Sequence, residues 1–378
     1  MKKKIAISLI LLLQYVCLVQ ALEPSVVDVF QKGQDGYACF RIPAIVQCKS
    51  GVILAFAEAR KNSCSDTGNI DLVVKRSENG GKTWSHAITV WDDGENVCGN
   101  PTPVVDQESG RVVLVACWNL GTDHEQQIIN QTSKDSRRIF VLYSDDEGLT
   151  WSDPKEITSS VKRDNWTWYA TGPCHGIQLQ HSNYKGRIVI STNHMIAGTK
   201  TYHSQLIYSD DKGESWELGG IVREHGGNES SVVELENGNL MLNMRNYNRT
   251  KYKSRAYAIS KDGGETISTM DYLPELIEPI CQGSTLNYLE KGKISSIILF
   301  SNPASMKQRI NMTVKMSKDN GQTWPYAFLI YPGPSAYSDL VCLANGKIGL
   351  LYEYGIENPY ERIGFTVLAL EQIENNTD

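Results

Sequence analysis

The chain has 378 residues, a formal net charge of −6 at neutral pH and 41% hydrophobic residues. A chain of this length can bury a substantial core without disulfide staples. Its negative charge disfavours binding to polyanions, so we expect no nucleic-acid partner.

The amino terminus has the pattern of an export signal. Three lysines follow Met1, an apolar run extends from Ile5 to Leu13, and Ala21 ends a segment suited to cleavage. These features predict a signal peptide over residues 1–21 and one mature domain over residues 22–378, since no linker rich in Pro, Gly or Ser follows. No later apolar stretch reaches the roughly 18 residues of a membrane span. We therefore expect a secreted or periplasmic protein, or a lysosomal one in a eukaryote, without stable membrane insertion.

Cysteine usage is compatible with export. After the predicted cleavage site an even number of cysteines remains, and none of their spacings is typical of a zinc site. We expect some to form disulfides and others to be buried thiols, with the connectivity left open. They are Cys39, Cys48, Cys64, Cys98, Cys117, Cys174, Cys281 and Cys342.

Early in the mature chain, Phe40-Arg41-Ile42-Pro43 precedes a strand-like run from Gly51 to Phe56. Considered alone, an arginine at the start of a strand usually faces solvent. By itself, the phrase therefore does not indicate a functional site.

One eight-residue phrase recurs along the chain with starts 51 to 67 residues apart. Each copy contains a Ser, an Asp or Asn two residues later, a Gly and a Thr or Ser, and every copy but one ends in Trp. The copies are Ser77–Trp84, Ser144–Trp151, Ser209–Trp216, Ser260–Ile267 and Ser317–Trp324. A unit repeated in this way indicates one supersecondary structure used several times.

Each copy has the chemistry of a turn between two strands. Asp or Asn bonds the backbone ahead of it, Gly supplies a positive φ, and Trp offers a large apolar surface for burial. The residues before the copies are rich in β-branched and aromatic side chains, as in Ile139–Tyr143 and Met312–Met316. A period near 60 residues fits one four-stranded sheet per repeat. The sequence therefore predicts an all-β fold, a six-bladed β-propeller of four-stranded antiparallel blades, in preference to a β-sandwich with similar turns.

The Phe-Arg-Ile-Pro phrase and the recurrent turns together resemble the exo-α-sialidases (neuraminidases), in which such turns are called Asp boxes. The resemblance covers essentially the whole mature chain. It implies retaining hydrolysis of terminal α-linked sialic acids, with sialylated glycoproteins, gangliosides or oligosaccharides as substrates. It implies no metal and no cofactor.

The family binds the carboxylate of sialic acid with three arginines, and the resemblance assigns these roles to Arg41, Arg245 and Arg309. A guanidinium group is permanently charged and its planar fork matches a carboxylate. The resemblance also assigns Glu353 as the carboxylate that braces the first arginine.

The resemblance implies that Tyr337 is the nucleophile and Glu229 its partner base. Sialidases with a tyrosine nucleophile are exceptions among retaining glycosidases, most of which use a carboxylate. A neutral phenol can approach a carbon that already bears a carboxylate, whereas a second anion would be repelled. Because the reference pKa of a phenol is near 10, Tyr337 needs a base within reach.

Asp66, in Ser65-Asp66-Thr67-Gly68, is implied as the general acid and base on a loop. We expect partial desolvation to raise its pKa. Arg60 matches a further substrate-facing arginine with Glu58 beside it, and Asn100 falls where the family lines its acyl and glycerol pocket. The segment from Thr171 to Ile177 is expected to shape the pocket wall without a catalytic role.

Several alternatives share these residues. A trans-sialidase, intramolecular or intermolecular, would exclude water from the second step, and a hydrolase of the deaminated sugar would differ in the acyl pocket. A protein of another class, a glycan-binding propeller without catalysis, would have no need for the complete set of site residues.

Overall fold

The computed structural model describes residues 25–181 and 183–375. The predicted signal peptide, residues 1–21, lies outside these residues. Strands dominate the described chain, and the helices are short: α1 (Glu125–Ile129), α2 (Thr158–Val161) and α3 (Leu370–Glu374). In the described part of the chain we find no helix with the length and apolar character needed to cross a membrane. The all-β prediction is confirmed.

The strands of the first half are numbered in chain order. They are β1 (Val27–Gln31), β2 (Cys39–Gln47), β3 (Ile53–Arg60), β4 (Ile70–Ser77), β5 (Ile88–Trp91), β6 (Val97–Val105), β7 (Val112–Asn119), β8 (Arg138–Ser144), β9 (Lys155–Glu156), β10 (Trp166–Thr171), β11 (Ile177–Gln178), β12 (Ile188–Ile196), β13 (Tyr202–Ser209) and β14 (Glu217–Ile221).

The second half continues the same numbering. Its strands are β15 (Gly227–Glu234), β16 (Leu240–Asn246), β17 (Ser254–Ser260), β18 (Asp271–Ile277), β19 (Ser284–Glu290), β20 (Lys293–Pro303), β21 (Ile310–Ser317), β22 (Tyr326–Cys342), β23 (Ile348–Tyr354) and β24 (Arg362–Leu368).

Consecutive strands pair antiparallel in groups along the chain. The groups are β2–β5, β6–β9, β10 with β12–β14, β15–β18, β19–β22 and β22–β24, and β11 pairs with β12 beside them. A parallel pairing of β4 with β6, at Ile70 and Val97, joins the first two groups into one sheet. Strand β22 belongs to two groups, because its first half pairs with β21 and its second half with β23. Near the amino terminus, β1 pairs with β24, placing Val27 opposite Phe365. The two ends of the described chain are thus joined by one antiparallel ladder.

The recurrent phrase forms the same turn in all five copies. Its Ser ends a strand and accepts a hydrogen bond from the backbone N–H of the Gly four residues later, as for Gly81 to Ser77 at 2.9 Å and Gly321 to Ser317 at 2.8 Å. The Asp or Asn accepts a second bond from the N–H of the Thr or Ser that follows. Gly81 has φ +85°, a conformation in which a side chain would be strained. The predicted turn is confirmed, including in the copy that lacks Trp.

All four turn tryptophans lie in apolar clusters between neighbouring strand groups. Trp324 packs with Val233 and Met241 of one group and Ile298 of the next. Trp151 contacts Phe56 edge-on, with ring centroids 5.7 Å apart, and Trp84 contacts Phe365 in the same way. The repeat therefore supplies both the turn and part of the packing that holds successive groups together.

Among the described cysteines, Cys39 and Cys64 form a disulfide that closes 25 residues of sequence. The other described cysteines are free thiols, and all but Cys342 are buried. The expectation of a mixture of disulfides and buried thiols is confirmed.

We expect Trp324→Ala to lower the free energy of unfolding by about 3–5 kcal/mol, because the side chain is only 1% exposed and its removal leaves a cavity between two strand groups. Urea denaturation followed by circular dichroism measures the effect. Leu149→Ala, in another copy of the turn, is the matched control. Its side chain is 51% exposed, so a change within about 0.5 kcal/mol is expected. Equal losses in the two variants would contradict the packing role.

Candidate active site

A polar cavity of about 260 Å³ gathers every predicted site residue except Glu353 into its lining. The residues come from distant parts of the chain: Arg41 from β2, Asn100 from β6, Glu229 from β15 and Tyr337 from β22. These are the strands that begin a group or, in β22, the half that begins the next one. Packing of the strand groups against one another therefore collects side chains that are hundreds of residues apart.

Glu353 lies behind the cavity wall and holds Arg41 from the side away from the cavity. Its side chain is fully buried, and its two oxygens accept bonds from Arg41 Nε at 3.1 Å and Nη2 at 3.3 Å. The same carboxylate accepts the backbone N–H groups of Ile42 at 2.9 Å and Tyr337 at 3.1 Å. One buried anion thus orients a guanidinium group and the backbone at Tyr337.

Tyr337 and Glu229 form a buried pair. The phenol donates to Glu229 Oε1 at 2.6 Å, and Arg245 Nη1 donates both to Glu229 Oε2 and to the phenolic oxygen, the latter at 3.1 Å. Burial and the negative charge of Glu229 raise the pKa of Tyr337 well above its usual value, while Arg245, Arg309 and Arg41 oppose this shift. The phenol is neutral at rest, with an acceptor for its proton in contact.

The guanidinium groups of the three predicted arginines converge on Tyr337. Arg41 lies 5.0 Å from the centre of the ring and Arg309 lies 5.5 Å from it, while Arg245 contacts the hydroxyl. Arg309 donates to the hydroxyl of Tyr360 at 2.8 Å. Arg41 and Arg245 each contact a glutamate, whereas among the described residues no carboxylate lies within ion-pair distance of Arg309. The cavity therefore carries an excess of positive charge suited to an anion.

Asp66 lies at the mouth of the cavity, on the loop between β3 and β4, with its side chain 74% exposed. It contacts Arg60 Nη1 at 2.7 Å and Arg41 Nη1 at 3.6 Å. Loss of water contact would by itself raise the pKa of Asp66, but the positive charges of Arg60 and Arg41 outweigh it and lower the pKa. The expectation of a raised pKa is wrong for the free protein, because it did not include the neighbouring arginines.

The loop that carries Asp66 is held by a disulfide and by hydrogen bonds, among them that from Gly68 N–H to the carbonyl oxygen of Gly121 at 3.0 Å. The disulfide joins Cys64 to Cys39, which begins β2. Arg60 Nη1 also donates to the carbonyl oxygen of Cys64 at 2.6 Å. An exposed carboxylate is therefore held near the cavity although its own side chain is surrounded largely by water.

Glu58 and Arg60 lie on the same face of β3 and form a buried ion pair at 2.6 Å. Glu58 also accepts the backbone N–H of Asn100 at 2.9 Å. The pair thus connects the loop that carries Asp66 with Asn100 on β6.

Sequence reasoning missed several residues that line the cavity. They include Arg137, Trp168, Tyr247 and Tyr360. Tyr247 follows Arg245 by two residues, and this spacing could have indicated a shared face.

The segment from Thr171 to Ile177, predicted to shape the wall of this cavity, is corrected in part. Thr171 supports Asn100 by a hydrogen bond, but residues 175–177 line a separate, more apolar cavity. The described residues contain no group of three or more His, Cys, Asp or Glu side chains arranged to hold a metal ion.

Residues 51–350 match the BNR repeat-like domain family. The chain is 32% identical to a sialidase of Bacteroides fragilis, over 87% of this chain and 62% of that protein. It is 31% identical to an exo-alpha-sialidase of Aspergillus fumigatus, over 75% of this chain and 69% of that protein.

Solved structures agree with these relatives. The Hadza microbial sialidase Hz136 superimposes with a TM-score of 0.82 at 30% identity, covering 92% of this chain and 69% of that one. The chain thus spans less than two thirds of the length of the Bacteroides relative and slightly more of the other two. On these similarities, and with BNR repeats along its length, the chain belongs to the sialidase family.

Proposed function

We propose that the protein is a retaining exo-α-sialidase that releases terminal α-linked sialic acids from glycoproteins, glycolipids including gangliosides, or oligosaccharides. One observation carries the proposal. Three guanidinium groups surround a tyrosine that is hydrogen-bonded to a glutamate inside one polar cavity. A sugar with a carboxylate on its reacting carbon is complementary to this arrangement in both charge and chemistry.

We further propose that the groups of consecutive antiparallel strands are six blades of a propeller over residues 22–378. The pairing of β1 with β24 supports ring closure, because it joins the first described strand to the last group. The convergence of first strands on one cavity supports a radial arrangement. Export after removal of residues 1–21 is part of the same proposal, and the Cys39–Cys64 disulfide is compatible with an oxidising compartment.

Substrate binding rests on Arg41, Arg245 and Arg309. Each presents a planar, permanently charged group whose N–H donors can bond a carboxylate. In our proposal the carboxylate of the sugar supplies the anion that Arg309 lacks in the free protein. The same contacts favour a flattened, oxocarbenium-like ring, because the arginines hold the carboxylate that is bonded to the reacting carbon.

The chemistry then proceeds in two displacements. In the first, Asp66 donates a proton to the leaving glycosidic oxygen, while the Tyr337 oxygen attacks the anomeric carbon and Glu229 takes the phenolic proton. In the second, Asp66 removes a proton from water, which attacks the same carbon, and the Tyr337 oxygen leaves and recovers its proton from Glu229. Two inversions give net retention.

There are two alternatives: transfer of the sialic acid to another acceptor, and hydrolysis of glycosides of the deaminated sugar. NMR of the first product separates the possibilities, and the identity of the released sugar shows whether the acylated or the deaminated form is hydrolysed. Free sialic acid in the α-anomer supports retaining hydrolysis, an anhydro sugar supports intramolecular transfer, and a new glycoside supports intermolecular transfer. Absence of any product would favour a propeller that only binds glycans.

We expect Tyr337→Phe to reduce kcat on an aryl α-sialoside by about a thousandfold or more, the scale reached when a catalytic nucleophile is removed. Tyr352→Phe is the matched control, since its buried hydroxyl has no hydrogen-bond partner in the described structure and should be dispensable. Thermal denaturation checks that both variants fold. Near-normal turnover by Tyr337→Phe would refute the assigned nucleophile.

The pH dependence of activity should differ between the free protein and its complex with substrate. A carboxylate bound to Arg41 offsets its positive charge and so raises the lowered pKa of Asp66. A general acid must be protonated, so activity is lost as the pH rises through its pKa. We therefore expect the alkaline limb of kcat, which reports the complex, to lie at higher pH than that of kcat/KM. Rate profiles with a sialyl-oligosaccharide measure both limbs, and coincident or reversed limbs would contradict this coupling.

Asp66→Asn should slow a sialyl-oligosaccharide far more than an aryl sialoside with a good leaving group, by a ratio of about a hundredfold, because only the poor leaving group needs the proton. The double variant Cys39→Ser/Cys64→Ser should show the same pattern in weaker form, since it releases the loop but keeps the carboxylate. Initial rates on the two substrates give the ratio. Equal losses on both substrates would indicate a general structural effect.

A further inference from the structure

Tyr360, which lines the polar cavity, contacts two of the three arginines. The guanidinium carbon of Arg41 lies 4.2 Å from the centre of its ring, and its hydroxyl accepts a hydrogen bond from Arg309 Nη1 at 2.8 Å. The ring also packs against a small buried cluster that includes Ala336 and Tyr337. One partly buried side chain is therefore in contact with two like-charged groups next to the tyrosine of the site.

The short loop 355–361, between β23 and β24, holds Tyr360 in place. The backbone N–H groups of residues 356–358 donate to the carboxylate of Glu361 at 2.9 to 3.1 Å. The N–H of Tyr360 donates to Asn358 Oδ1 at 3.0 Å. The position of the Tyr360 ring is thus set by hydrogen bonds within the loop, and the arginines adapt to it.

Arg309 depends on this contact more than the other two arginines do. Each of the other two has a glutamate within ion-pair distance. Among the described residues, Arg309 donates only to the Tyr360 hydroxyl and, at 3.4 Å, to the carbonyl oxygen of Ile280. A long, flexible side chain loses conformational freedom when it binds a ligand, and a contact that orients it beforehand reduces this cost.

A phenol affects these arginines differently from a carboxylate. A carboxylate would orient the guanidinium group of Arg309 but would also offset its charge. A neutral hydroxyl accepts one hydrogen bond and leaves the charge and the remaining N–H donors available. The face of the ring likewise attracts Arg41 without adding a negative charge. Tyr360 therefore keeps two guanidinium groups together while their positive charge stays available for an anion.

We infer that Tyr360 is a positioning residue, which orients Arg309 through its hydroxyl and supports Arg41 through its ring. It prepares both groups for the carboxylate of the substrate before the substrate arrives. The inference rests on the proposed function, and it adds a residue that acts through the arginines, away from the reacting atoms.

Tyr360→Phe removes the hydroxyl and keeps the ring. We expect kcat/KM for an aryl α-sialoside to fall by about tenfold to a hundredfold, the scale of a hydrogen bond to a charged group. The loss should appear chiefly as a higher KM, because the bound substrate and the transition state both carry the carboxylate that Arg309 holds. Tyr360→Leu, which also removes the ring, should lose more.

Tyr288→Phe is the matched control. Its hydroxyl donates to the carbonyl oxygen of Gly346 at a separate cavity, so its removal should leave kcat/KM unchanged. Thermal denaturation checks that all variants fold. An unchanged or higher kcat/KM in Tyr360→Phe, or a loss confined to kcat, would overturn the inference.

A double-mutant cycle tests whether Tyr360 acts through Arg309. Arg309→Met removes the donors and the charge that the hydroxyl orients. In this background the further change Tyr360→Phe should alter kcat/KM by less than about twofold, because residues that act together show non-additive effects. The same loss in both backgrounds would mean that Tyr360 contacts the substrate itself or only supports the fold, and would also overturn the inference.

Failure of the inference and failure of the proposed function give different results. If the protein is not a sialidase, the unmodified enzyme releases no sugar from the sialoside. If only the inference fails, the unmodified enzyme hydrolyses the sialoside, and Tyr360→Phe behaves as Tyr288→Phe does.

Discussion

The site depends on a single buried carboxylate. Glu353 is completely excluded from solvent and receives hydrogen bonds from the side chain of Arg41 and from the backbone of Ile42 and Tyr337. Ile42 has φ 59°, an uncommon conformation for a β-branched residue that persists only where its surroundings hold it. Removing the partner of a buried charge typically costs 3–5 kcal/mol, so Arg41 and Glu353 are mutually required. The pair joins β2 to β23, and the hydrogen bond from Tyr337 to Glu353 links both to the strand that carries the tyrosine.

Around this pair the protein balances two opposing demands. The cavity must attract an anion, and so it concentrates guanidinium groups that repel one another. It must also keep a phenol neutral next to a carboxylate, and so Tyr337 and Glu229 are buried together and bonded by Arg245. The remaining positive charge, centred on Arg309, is what a substrate carboxylate would satisfy. Asp66, at the mouth of the cavity, is exposed, and its position comes from the loop, the disulfide and the ion pair with Arg60.

Much of the architecture can be read from local chemistry. The five turns are specified by short-range contacts between Ser, Asp or Asn, and Gly within eight residues, so their form was predictable even where Ile267 replaces Trp. The predicted site residues were identified through a resemblance in short motifs, and the structure brings nine of the ten to one cavity lining with Glu353 directly behind. Their catalytic roles remain proposals.

Local residue patterns account for the turns, the strand-rich composition and the chemical types available to the site, because those depend on neighbouring residues. Three-dimensional packing accounts for which cysteines pair, for the lowering of the Asp66 pKa by arginines, and for the contact of Arg137 with Asn100 across 37 residues of sequence. Such contacts depend on how strands from separate groups approach one another. Electrostatic energies depend on distance and burial, and neither quantity is carried by a motif.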